Sequence, residues 1–330
     1  ASPTTIATNR VYNGTYCYIF VKTSDQSEIN QADINTLGNL FDTKIYSRAK
    51  SYFTSFYDVD NNNKMIILIY DLNIAGTAGY FWSGDFFQTD TIYTNKADMI
   101  YLNASFFKNL ANLTGAFHTQ SFNEIADTVA HETQHLLNFS ARFNSSNNSY
   151  INNPFETWIE EGIAEGVVPF LTDNSLSNNF NFLNSSETRN GLGLIYWNNS
   201  VSDYALSFSF FEYLRIQCNL TYTFYKNLMD SYTVGSNYLV VENVFENAST
   251  NPFTSFDDAV LSYKIANYYN LSTGKYGYKG QYTPPQLSSP SSSTLSLQAG
   301  GSGYFTTNLS NFVPTNVGDN IYYYRINYSP

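Results

Sequence analysis

Residues 131–135 read His-Glu-Thr-Gln-His, an H-E-x-x-H pattern whose chemistry requires a helix. One α-helical turn takes 3.6 residues, so positions i and i+4 project from the same face. Two imidazoles placed that way reach one metal ion at about 2.0–2.1 Å. Glu132 points to the side, where it can take a proton from a water at that ion and pass it to a leaving amine. Zinc suits the arrangement because it brings the pKa of its water down to about 7. The bland alternative is a helix with two satisfied core histidines. The surroundings argue against it. Two of the chain's three histidines lie here, and six of its eleven glutamates fall between positions 124 and 165.

A catalytic zinc keeps three protein ligands and one open position, so a third ligand is needed. His118 lies before the motif helix, outside the usual downstream position, and Cys218 is far downstream with no supporting context. The glutamates of "TWIEEGIAEG", residues 157–166, are better placed. Glu161 and Glu165 are four apart and share a helix face. With Glu161 on the ion, Glu165 can reach the second ring nitrogen of a ligating histidine.

Local patterns set the rest of the expected organisation. The opening "ASPTTIATNR" is polar and reads as unstructured, like a mature chain whose leader has been removed. A strand is expected within Gly14–Thr23, a helix across Gln31–Phe56, a buried strand at Met65–Tyr70, a short strand within Thr77–Phe87 and another in Ala97–Asn103. Ser121-Phe122-Asn123-Glu124 fits a capping box and predicts the motif helix from there to about Phe143. A loop follows at Asn144–Ser149. The next helix is expected from Asn153-Pro154-Phe155-Glu156, with a capping Asn, Pro first and Glu third. A further long helix begins near Ser202. At Thr283 the composition turns to a linker rich in Pro and Ser, followed by strand-like "GYFTTNLSNF" and "NIYYYRINYS". Together these predict an α+β chain. Residues 1–148 form an N-terminal subdomain with a mixed twisted sheet and the motif helix. Residues 149–283 form a mainly helical C-terminal subdomain, and residues 284–330 a linker and short β tail.

"TVAHETQHLLNFSARF" followed by "TWIEEGIAEG" resembles the gluzincins, zinc peptidases with H-E-x-x-H and a downstream glutamate. Trp158-Ile159-Glu160-Glu161-Gly162-Ile163-Ala164 matches the W-[LI]-x-E-G-x-A pattern of their aminopeptidase branch, which implies Glu161 rather than Glu160 as ligand. The closer resemblance is to the hyicolysin family of secreted bacterial neutral metallopeptidases. It extends to "FYDVDNNNKMIILIYDLNIAGTAGYF", "ADMIYLN", "DYALSFSFFEYL" and "GKYGYKG", most of residues 10–280. The resemblance implies a zincin-like fold of two subdomains with the cleft between them, one catalytic zinc on His131, His135 and Glu161, and Glu132 as general base. It also implies an oxyanion donor. Tyr204, opening the helix after the acidic one, is the choice over Tyr196 and Tyr150. "TAGYF" would lie at the sheet edge, either pairing with an extended peptide or forming an ordinary strand with a Gly bulge.

Asp58, Asp60 and Asn62 have the spacing of calcium ligands, but Asn63 replaces the usual Gly and Ile69 the closing Glu, so an Asx turn is the better reading. Cys17 and Cys218 either pair or remain two buried thiols. A net charge of −11 with 13% charged residues disfavours nucleic acid. No apolar run approaches the roughly 18 residues of a transmembrane helix. Sparse charge and abundant Tyr and Asn suggest a secreted or cell-surface bacterial protein acting as a monomer on peptides or proteins. The expected activity is zinc endopeptidase. The rivals are a zinc aminopeptidase, and a surface-binding protein that retains zinc with little activity. Glu132 argues against the second, since binding needs no general base.

Overall fold

The near-continuous apolar run Met65–Tyr70 forms β3, at the centre of a five-stranded sheet. Such runs mark strands covered on both faces, as in parallel pairing. β3 is parallel to both neighbours, β2 (Cys17–Lys22) and β5 (Met99–Asn103). Antiparallel strands close the edges, β1 (Thr8–Asn13) beside β2 and β4 (Gly79–Phe81) beside β5, in the order β1-β2-β3-β5-β4. The computed structural model describes residues 4–305 except 54–55, 75, 89–92, 151–153 and 292–293, and also residue 321.

Parallel neighbours require a crossover. Helices α1 (Gln31–Leu40) and α2 (Tyr46–Tyr52), joined by a π-helical turn at Phe41–Ile45, supply it between β2 and β3. After β5 come α3 (Ala104–Leu110) and the long α4 (Gly115–Ser140). Helices α1, α3 and α4 pack on the sheet. Leu68, Ala97, Met99 and Tyr101 form a smaller apolar cluster of their own, joined by Phe20 and Tyr80. The second half is helical: α5 (Thr157–Thr172), α6 (Ser186–Arg189), α7 (Val201–Gln217), α8 (Thr223–Asp230), α9 (Tyr238–Glu246) and α10 (Phe256–Tyr269). The chain is thus α+β with a mixed sheet, and one core runs from β2 and β3 through α4 and α5 to α7 and α10. Cys17 and Cys218 are both buried free thiols.

Several local expectations give way to tertiary pairing. The polar opening is ordered from Thr8, because β1 pairs from Thr8↔Lys22 to Asn13↔Tyr18 although its side chains are mostly half-exposed. Helix α4 begins at Gly115, not Ser121. Thr114 is extended, nothing from Ala116 to Gln120 breaks a helix, and Glu124 accepts from Gln120 rather than capping the backbone. Helix α5 begins at Thr157 with Glu156 as its cap, so Pro154 is not its first residue. Phe155 is held out of the helix, buried beneath the Arg142 guanidinium 3.6 Å from its ring centre, and Glu156 N–H donates to Ser236 O. Asn153 lies outside the described residues, as does nearly all of the two strands expected beyond residue 303. Residues around 298 lie against the loop after α6, where Gln298 N–H donates to Gly191 O at 3.0 Å and Gln298 Oε1 accepts from Gly193 N–H at 3.0 Å.

Helix α5 is pressed between α4 and α7. Trp158 stacks on Phe211 of α7 with 5.6 Å between ring centres. At Gly162 a Cβ would stand 2.1 Å from a ring carbon of Phe211 and 3.0 Å from Ser207 Oγ. Overfilling a packed core costs about 1–3 kcal/mol. Gly162→Val should lower the thermal midpoint, read by circular dichroism, by an amount corresponding to that loss. Gly235→Ala, whose Cβ would meet nothing closer than 3.8 Å, should leave it unchanged.

Candidate active site

Helix α4 buries Ile125, Ala126, Val129, Ala130, Leu136 and Leu137. That stripe fixes the helix's rotation and leaves His131 and His135, one turn apart, facing α5 across the contact between the two helices. Glu161 on α5 meets them there. Its Oε2 lies 3.0 Å from His131 Nε2 and 3.3 Å from His135 Nε2, and the two Nε2 atoms are 3.0 Å apart. Three corners of a tetrahedron around a zinc ion, at ligand distances of about 2.0–2.1 Å, stand about 3.3 Å apart. The three side chains therefore already have the spacing that one shared ion requires. They retain 12–17% side-chain exposure, enough for approach from one side.

The other ring nitrogens are also partnered. His131 Nδ1 lies 3.3 Å from Glu165 Oε1, and His135 Nδ1 lies 3.9 Å from Glu160 Oε1. Glu165 in turn accepts from Asn179 Nδ2 at 3.1 Å. Carboxylates at Nδ1 favour the tautomer with its proton there, leaving Nε2 free to bind a metal. The motif pattern anticipates Glu165; Glu160 beside His135 becomes visible only in three dimensions.

Four carboxylates, those of Glu132, Glu160, Glu161 and Glu165, surround two imidazoles. Burial alone would lower His131, but hydrogen bonds to Glu161 and Glu165 outweigh it and hold the ring's pKa up at about 10. His135 is likewise raised well above its ordinary value against burial, by the charge of Glu161 and by Glu160. Despite its own burial, Glu161 is held below the usual carboxylate range by the two rings. The carboxylates thus draw protons toward both rings. A divalent ion would take the place of those protons, and the nitrogen and oxygen donors suit zinc. Glu132, only 7% exposed, is pushed up by burial against the pull of both imidazoles, with the Phe81 backbone on β4 also lowering it.

Tyr204 stands beside this group, its ring centre 6.2 Å from that of His131. Trp197 packs edge-on at 4.9 Å and the phenol donates to Asn199 Oδ1 at 3.3 Å. Burial, then the charges of Glu161 and Glu132, raise its pKa, so it remains an O–H donor. The other tyrosines differ. Tyr150 accepts from Arg142 Nη1 at 3.0 Å, and Tyr196 is 49% exposed. His118 is inside α4 rather than before it, and pairs with Asp33 at 3.1 Å. Cys218 is buried at the end of α7.

Residues 27–289 match the family described as Peptidase M30. The chain is also similar to Neutral metalloprotease ShpI of Staphylococcus hyicus, with 26% identity over 332 residues, covering 96% of this chain and 71% of that protein.

The turn before β3 gathers a second acidic group, Asp58, Asp60 and Asp98, within 4.8 Å of one another. Asp58 and Asp60 accept from the backbone N–H groups of Asn62 and Asn63 at 2.9–3.2 Å, the hydrogen bonding of an Asx turn. Asn61 and Asn63 take positive φ of 59° and 63°. Asp98, distant in sequence, is 3% exposed and accepts from Val59 N–H at 3.0 Å. Burial, reinforced by Asp60 and Asp58, pushes its pKa up to about 8. The folded state thus holds a proton that the unfolded chain releases near pH 4. Its contribution is full below that pH and is lost as pH rises through about 8. The melting temperature of wild type should fall across this window, and Asp98→Asn, which keeps an acceptor for Val59, should flatten that fall.

Proposed function

The chain belongs to the peptidase M30 family and is a metalloprotease acting on peptides or proteins; on that premise we propose a secreted, zincin-like zinc endopeptidase in which His131, His135 and Glu161 hold the ion. The observation that carries this reading is the compact triangle of two Nε2 atoms and one Oε2 atom, with Glu132 alongside and β4 beyond it. Zinc bound there supplies Lewis acidity toward the scissile carbonyl and makes water acidic enough to lose a proton near neutral pH.

The chain's own groups supply the remainder. Glu132 takes the proton of the attacking water and returns it to the departing amine. Its burial restricts where the carboxylate can stand. Tyr204 donates its O–H to the oxygen that gains negative charge as the carbonyl becomes tetrahedral. Glu165 keeps the Nδ1 proton of His131 in place. Strand β4 is the last in its sheet and pairs with β5 on one side only. Its other edge lies toward Glu132, and an extended substrate adds there as a further strand. Secretion rests on the sparse charge and the Asn- and Tyr-rich composition.

Zinc content and cleavage of an unstructured protein such as casein test the assignment. Glu132→Ala should retain stoichiometric zinc and lose cleavage by roughly 100-fold to 10,000-fold. Unchanged cleavage in that variant would sink the mechanism. Glu161→Ala should lose zinc on dialysis. Tyr204→Phe should lower kcat roughly 100-fold with zinc retained. Cleavage of a peptide blocked at its N-terminus separates an endopeptidase from an aminopeptidase, which would require the free amine.

A further inference from the structure

Helix α4 and the residues just beyond it carry polar side chains that the reaction does not use. Asn138 and Arg142 follow His135 by three and seven positions, the spacing of one helical face. Arg142 is fully buried. Its guanidinium lies over the Phe155 ring, donates from Nη2 to Asn138 Oδ1 at 2.8 Å and from Nη1 to Tyr150 OH at 3.0 Å. Its Nε is buried with no partner among the described residues. A buried charge is costly unless something nearby answers it.

The answer lies one residue away. Arginine has donors only, so Asn138 must turn its carbonyl oxygen toward Arg142 and its NH2 toward the far side. There Nδ2 donates to Glu160 Oε2 at 2.5 Å. The second oxygen of Glu160 stands 3.9 Å from His135 Nδ1. The order Arg142, Asn138, Glu160, His135 is therefore a directed chain in which each contact fixes the orientation of the next. The His131 side is built differently. Its carboxylate, Glu165, is steadied by the neutral amide of Asn179.

We propose that Asn138 and Arg142 are positioning residues for the metal centre, holding Glu160 behind His135 so that the ring presents Nε2 to the ion. This rests on the zinc reading above. Asn138 fixes where the carboxylate stands. Arg142 fixes which way Asn138 faces.

The test uses zinc itself as the probe, with its dissociation constant measured on the full chain by competition against a chelator of known affinity. Glu160→Gln and Asn138→Leu should each weaken zinc by roughly 10-fold to 100-fold. The double variant should be no weaker than the worse single one, because Asn138 acts on the ion only through Glu160. Asn138→Asp serves if Asn138→Leu does not fold. Its carboxylate pairs with Arg142 and repels Glu160, and the same weakening is expected. The melting temperature of the zinc-free variants separates loss of fold from loss of positioning. Cobalt substituted at the site should show shifted visible absorption bands in the same variants. Wild type with stoichiometric zinc, and single variants within threefold of it, would overturn the relay alone. So would losses that multiply in the double variant. A wild type that takes up no zinc would overturn the zinc reading and the relay with it.

Discussion

The contact between α4 and α5 governs this site, and its closeness is set from the far side of α5. Residues 161–166 read Glu-Gly-Ile-Ala-Glu-Gly. The two glutamates face α4, where Glu161 comes within 3.3 Å of both Nε2 atoms and Glu165 within 3.3 Å of a Nδ1. The glycine after each faces the other way. A Cβ at Gly162 would strike Phe211, and one at Gly166 would stand 2.1 Å from the Tyr225 ring. Each residue type is thus placed by the same one-turn repeat. Charge is presented to one neighbour, and bare backbone to the others. A side chain at either glycine would displace α5 relative to the histidines. Core packing does not yield smoothly, so a shift there would be felt directly in the ligand triangle.

The same contact concentrates negative charge. Four carboxylates around two imidazoles, in a partly buried setting, leave a deficit that ring protons meet without a metal and that a divalent cation would meet better. Polar groups around it hold the outer carboxylates. Asn179 steadies one carboxylate and Asn138 the other, with the buried Arg142 behind it. The edge strand β4 packs on the same helix α4. The fold brings a sheet edge and a charged helix face together.

Much of this was legible locally. Histidines four apart, glutamates four apart and a tyrosine opening the next long helix are patterns of one-turn spacing, and helices preserve such spacing whatever they pack against. The apolar runs at Met65–Tyr70 and Met99–Asn103 are likewise strands by composition alone. Helix starts were less legible. The pattern at Ser121–Glu124 resembles a cap, yet six more residues upstream are helical because nothing there opposes it. Pro154 looks like a first helical residue, yet burial of Phe155 beneath Arg142 outweighs that local preference. β1 carries little apolar signal, since its identity comes from backbone pairing with β2. Asp98 joins Asp58 and Asp60 only through the ladder that sets β5 beside β3.

By itself the sequence determined the chemical inventory: which side chains could serve as ligands, base and donor, and which of them must share a helix face. Periodicity carries that information because it is a property of one element. Tertiary structure alone decided which faces meet. It set Glu161 against both histidines, turned Glu160 behind His135, and ran the Asn138 and Arg142 chain to that carboxylate. Those outcomes depend on the rotation and separation of two helices. Both are fixed by what packs behind them, at Trp158, Gly162 and Phe211, residues whose role no spacing rule within a single helix expresses.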